Sequence, residues 1–135
     1  MVLEESPEEF FERFREAAFE AEFLPVPEGY PVLELPVGPH LLAVFDRGPI
    51  AERPRRGPLL LHGVAEEAVP ETGTAALRPL KGGGLLARGR VAKAYGQGFY
   101  LFETLVPLLA HAPEPWEENA WLKVRFAPPL MGFRP

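Results

Sequence analysis

Hydrophobic and polar positions recur along this chain with a period that changes from segment to segment. Near the start, Phe10, Phe14, Ala17 or Ala18 and Ala21 return at helical spacing, and Phe11 widens the stripe. Ser6-Pro7-Glu8-Glu9 supplies a start signal, with Ser6 as N-cap, Pro7 at the first helical position and Glu9 able to close a capping box. The pattern predicts an amphipathic helix over residues 6 to about 23, ending before Pro25-Val26-Pro27.

Beyond the helix the period shortens to two. Residues 30–35 and 40–45 read as strands around a Pro36-Val37-Gly38-Pro39 reversal, and Pro31 and Pro36 put the first of them at a sheet edge. Residues 59–64 form the continuous apolar run of a buried central strand. Residues 65–81 are ambiguous, with a short strand expected at 75–78. The segment 82–106 is expected to be a long hairpin around Gly96-Gln97-Gly98. A type II′ turn at Gly96-Gln97 sets Tyr95 opposite Gly98 and Arg90 opposite Glu103, an ion pair worth ~0.2–1 kcal/mol to that register.

Residues 107–111 fit either a helical turn or a strand. Residues 120–126 alternate as a strand that Pro128-Pro129 is expected to stop. The remaining Leu130, Met131 and Phe133 form an apolar tail that is buried either on its own domain or in a second copy. The expected fold is α+β in a single domain, residues 1–135: one N-terminal amphipathic helix on a mainly antiparallel, curved sheet of five to seven strands. The alternative is a small, partly closed β-barrel with the helix across one end.

Composition narrows the chemistry. The chain has 135 residues and no cysteine, so it has neither disulfides nor thiolate metal sites. No stretch reaches the ~18 uninterrupted apolar residues of a membrane span, and the acidic start Met1-Val2-Leu3-Glu4-Glu5 is unlike a secretion signal. A soluble, cytoplasmic protein is expected. Seventeen prolines and single Ser, Asp, Asn and Gln residues suit heat resistance, as would a GC-rich genome. Ser6 is committed to the helix cap and no threonine lies in a nucleophile turn, so most covalent mechanisms are excluded.

Charge is unevenly distributed. Residues 1–22 carry eight glutamates against Arg13 and Arg15, either a solvated helix face or a dock for a basic partner. Arg53, Arg55 and Arg56 sit in a proline-rich loop suited to anions, and Arg88, Arg90 and Lys93 lie among the hairpin's aromatics. His40, His62 and His111 match no metal-ligand spacing, and Lys81-Gly82-Gly83-Gly84 has the glycines of a phosphate loop without its Gly-Lys-Ser/Thr order. His62, Glu103 and His111 are a candidate polar cluster; no cofactor and no metal is expected.

These features lean away from an enzyme. They favour an interaction domain that self-associates, with a dimer preferred, through complementary charged patches, limited edges and the apolar tail. The alternative is single-stranded nucleic-acid or polyanion binding by the basic, aromatic hairpin. Neither reading involves a membrane.

Overall fold

The computed structural model describes residues 5–49 and 53–135, so the first four residues of the acidic start lie outside the described part. The chain runs α1 (Pro7–Arg13), a 3-10 turn (Arg15–Ala17), then strands β1 (Phe19–Glu22), β2 (Val32–Val37), β3 (His40–Asp46), β4 (Arg56–Pro70), β5 (Ala76–Pro79), β6 (Leu85–Gly96), β7 (Phe99–Glu103), β8 (Pro107–His111) and β9 (Trp121–Phe133). A lone N-terminal helix on a sheet agrees with expectation. The sheet itself is larger than expected, with nine strands. It is also mixed: β3 runs parallel to β9 and β4 parallel to β8, against the mainly antiparallel sheet of five to seven strands.

The pairings form a cycle. β4 pairs with β8, β8 with β7, β7 with β6 and β6 with β9, and β9 returns to β4. Leu59, Leu61, Ala87, Val91, Phe102 and Phe126 are among the side chains buried in the core this wall encloses. The hairpin of β2 and β3 extends the sheet from β9, with β2 at the end of the strand order, where its prolines placed it.

A second apolar cluster lies under α1. Phe11, Phe14 and Ala17 bury against Leu60, Leu109 and Phe133, and Phe10 packs on Phe133 with ring centroids 4.5 Å apart. Ser6 caps the helix as its sequence implied, accepting the Glu9 N–H at 3.1 Å. The helix, however, stops at Arg13 rather than near residue 23. From Ala18 on, Phe19, Ala21 and Phe23 point inward while Glu20 and Glu22 point out, a period of two that makes residues 19–22 an edge strand on β4.

The hairpin needs correcting at its tip. The turn residues are Gln97 and Gly98, at φ 56° and 83°, so Gly96 faces Phe99 as in a type I′ turn. Tyr95 therefore does not face Gly98. Two irregularities, between Val91 and Lys93 and between Ala94 and Gly96, each place one extra residue in β6. Together they bring Arg90 opposite Glu103 after all, with Arg90 Nη2 3.6 Å from Glu103 Oε2.

Other boundaries move for similar reasons. β4 extends through the ambiguous segment to Pro70 because β9 pairs with it throughout. Residues 107–111 are a strand, pairing β7 and β4 on opposite sides. Pro128 and Pro129 do not stop β9. They sit in an outlooped stretch opposite Gly63, between the pairs Val64–Ala127 and His62–Met131, where no ladder N–H is required. Beyond them Leu130 and Phe133 are buried and Met131 half-buried within their own chain.

β6 passes closely over the start of the β7–β8 turn at Gly89, where a Cβ would lie 2.2 Å from the Glu103 carbonyl oxygen. That neighbour is backbone and cannot rotate away. Gly89→Ala is expected to lower unfolding free energy by about 2 kcal/mol or more, measured by urea titration, as overpacked sites do. A loss below about 0.5 kcal/mol would show that the β6–β7 crossing is loose.

Candidate functional site

The cations singled out in the sequence are drawn into ion pairs. Arg53 donates from Nε to Asp46 Oδ2 at 2.8 Å and from its terminal nitrogens to the Tyr30 and Val32 carbonyls. Arg56 reaches Glu22 at 3.4 Å on the surface, and Arg55 is exposed. Arg88 bonds Glu71 at 3.1 Å and the Thr74 carbonyl at 2.7 Å. Arg90 pairs with Glu103 and donates to Asn119 Oδ1 at 2.8 Å, and Lys93 meets Glu16 at 2.9 Å. Five of these six cations thus have an acidic neighbour, which offsets the positive field that polyanion binding needs.

The candidate polar cluster separates. His62 and His111 both contact the Phe99 ring, at centroid distances of 6.1 and 4.8 Å, whereas Glu103 is exposed beside Arg90. Burial pushes the His62 pKa below its usual value, and the positive field of His111 adds to this. The bond to the Leu109 carbonyl opposes the shift. His62 is thus a half-buried histidine held toward its neutral form, and its Nδ1 lies 2.9 Å from that carbonyl. Among the described residues no group of three His, Asp or Glu side chains is placed to hold a metal ion, and no helix is long and apolar enough to cross a membrane.

Asp46, the single aspartate, gathers the end of the chain. It accepts from Gly48 N–H at 2.8 Å, from Arg134 at 3.0 and 3.1 Å and from Arg53. The side chains of Asp46 and Arg134 are only 4% and 5% exposed. Burial alone would raise the Asp46 pKa, but the bonds from Arg134, Gly48 and Arg53 outweigh it and hold the carboxyl below its ordinary value. Sequence reasoning missed Arg134, because nothing local to it announces a partner 88 residues away.

Two surfaces stand out among the described residues. The first is the outer face of the β2–β3 hairpin, where the facing pairs are Val32–Phe45, Glu34–Ala43 and Pro36–Leu41. Leu41 is 48% and Phe45 40% exposed; Glu34 is the one charge among these six paired residues, and Arg47 borders them, over the Phe133 ring. The second is a cleft of about 590 Å³ between residues 65–69 of β4 and the loop 113–117. Trp116 lines it, its ring tilted against Tyr100 with centroids 5.2 Å apart, and Glu66, Glu67, Glu114 and Glu117 surround it.

The loop beside the cleft is fastened at several points. The Trp116 N–H donates to the Tyr100 hydroxyl at 3.0 Å, the Ala94 N–H to Glu118 at 3.0 Å, and Arg90 holds Asn119. Asn119 adopts φ 72°, a conformation asparagine tolerates better than most residues. No protein-family model, curated protein or solved structure matches the chain.

The Asp46 cluster predicts acid sensitivity. With its folded pKa below the unfolded one, Asp46 adds stability that is complete above the unfolded value of about 4 and lost as pH falls through the folded value. Asp46→Asn is expected to cost about 3 kcal/mol at pH 7 and to flatten the acid limb of a stability–pH curve; an unchanged limb would refute the assignment.

Tyr95 offers the opposite test. Its hydroxyl is enclosed without a well-formed hydrogen bond, and burial, together with the charge and hydrogen-bonding approach of the Glu16 carboxylate, pushes its pKa up to about 12. Tyr95→Phe should therefore be neutral or stabilising by up to about 1 kcal/mol in thermal unfolding, whereas a clear loss would reveal a hydrogen bond of the hydroxyl to Glu16 or to a bound water.

Proposed function

We propose that this protein is a non-enzymatic interaction domain that self-associates through the outer face of β2–β3. The observation that carries the reading is that face itself: Leu41, Ala43 and Phe45 alternate outward beside Val32 and Pro36, with Glu34 the one charge among the paired positions and Arg47 at its border over Phe133. The same outer surface, on the far side of Met131, is covered by α1. Water-exposed apolar rows of this kind gain free energy when a matching surface excludes solvent.

Association by the edge of β2 is disfavoured. Glu34 O already accepts the Leu24 N–H at 2.8 Å, Arg53 reaches the Val32 carbonyl, and Pro36 lacks an N–H. Contact is therefore face to face. A twofold axis parallel to the strands sets Glu34 over Ala43 of the second copy and Pro36 over Leu41, whereas an axis across the strands opposes the two Glu34 carboxylates. A two-stranded face is smaller than the ~800 Å² per partner of a standard interface, so the dimer is weak and concentration-dependent.

Sedimentation equilibrium from roughly 10 μM to 1 mM is expected to show monomer passing into dimer. Leu41→Lys and Phe45→Lys should each shift that transition at least tenfold higher while leaving the thermal midpoint within a few degrees, because both side chains are already exposed. A wild-type monomer across the whole range in low salt refutes the reading.

A further inference from the structure

The wall of the barrel is incomplete beside the end of β4. β8 follows β4 only from His62 to Val64, while β9 accompanies it on the other side to Pro70. Among the described residues no strand takes up the β8 side of residues 65–69, and this open edge forms one wall of the cleft of about 590 Å³. The opposite wall is the fastened loop 113–117, which brings Trp116 and two prolines to the cavity.

We propose that this cleft receives an extended, basic peptide segment of another protein as an added strand on β4. An open edge supplies main-chain donors and acceptors at strand spacing, and five residues of β4 span about 16 Å, enough for a short segment in extended form. Charge selects the occupant. Arg125, at 3.3 Å from Glu66 and 3.5 Å from Glu67, is the one cation paired with the cleft's four carboxylates, and Glu114 and Glu117 have no ion-pair partner among the described residues.

Antiparallel pairing of residues 65–69 with the same segment of a second copy sets Glu67 against its own counterpart, so self-pairing is repelled. A segment alternating lysine or arginine with small apolar residues answers both surfaces at once. Its cations lie on the outward face with Glu67, and its apolar side chains turn to the other face, toward Ala65, Ala68 and Trp116. Because Tyr100, Glu118 and Arg90 already hold the loop, little ordering is left for binding to overcome.

The test uses the full chain and a blocked heptapeptide alternating lysine and valine, titrated by calorimetry in low salt, beside a glutamate–valine control. Saturable one-to-one binding of the lysine peptide only is expected, weakened at least tenfold by Glu114→Lys with Glu117→Lys. Two N-methylated versions, blocked at odd or at even positions, keep the charge and remove alternate N–H groups. One is expected to bind like the parent and the other to lose at least tenfold. Equal binding of both, or binding unaffected by the glutamate changes, overturns strand addition, as does no binding at all. The same titration on Leu41→Lys should match wild type, which separates this site from self-association.

Discussion

Closure of the hydrogen-bond ladder upon β4 is the constraint on which the remainder of the structure rests. β4 is flanked along one side by β9 and along the other by β8, and the chain of pairings between those two runs through β7 and β6. Where the wall is closed, no row of unpaired main-chain groups is left, and alternate side chains of each member strand turn inward. Phe102, Val124 and Phe126 are almost wholly buried for this reason, and Gly89 is glycine because two backbones cross there at a separation no Cβ permits.

What lies outside the wall follows from which faces remain apolar. The short helix exists chiefly to cover Leu60, Leu109 and Phe133; seven residues with a serine cap are too few to be helical on propensity alone. The same outer surface continues past Met131 to Phe45 and Leu41 without a cover from the described chain. The wall itself is interrupted where β8 ends, and there a pinned loop stands off from β4. Charge is managed locally throughout: the hairpin's cations lie beside Glu16, Glu71 and Glu103, so a basic stretch of sequence does not become a basic patch of surface.

Some errors of expectation have a common origin. The helix was extended through residues 14–23 because alanines and phenylalanines satisfy both a helical and an alternating period there, and contact with β4 decides between them. The prolines at 128 and 129 ought to end a strand, but the cost of proline depends on whether its N–H is needed, which only the pairing partner determines. Glu103 does not join His62 and His111 in a polar cluster, because its position on β7 turns it outward to the Arg90 that its sequence pairing implied. The cleft was invisible because its walls are 44 or more residues apart in sequence.

The sequence by itself determined the serine cap, the hairpin around Gln97 and the edge position of β2, since each depends on residues within a few positions or on one tight turn; the Arg90–Glu103 register also needs the two irregularities in β6. Only the tertiary structure decided that β3 and β8 run parallel to distant strands, that Arg134 returns to Asp46, and that β4 keeps an open edge beside Trp116. The physical reason is that local patterns fix which side of a strand is apolar. They do not fix which strand lies next to it; that follows from closing the wall and filling its interior.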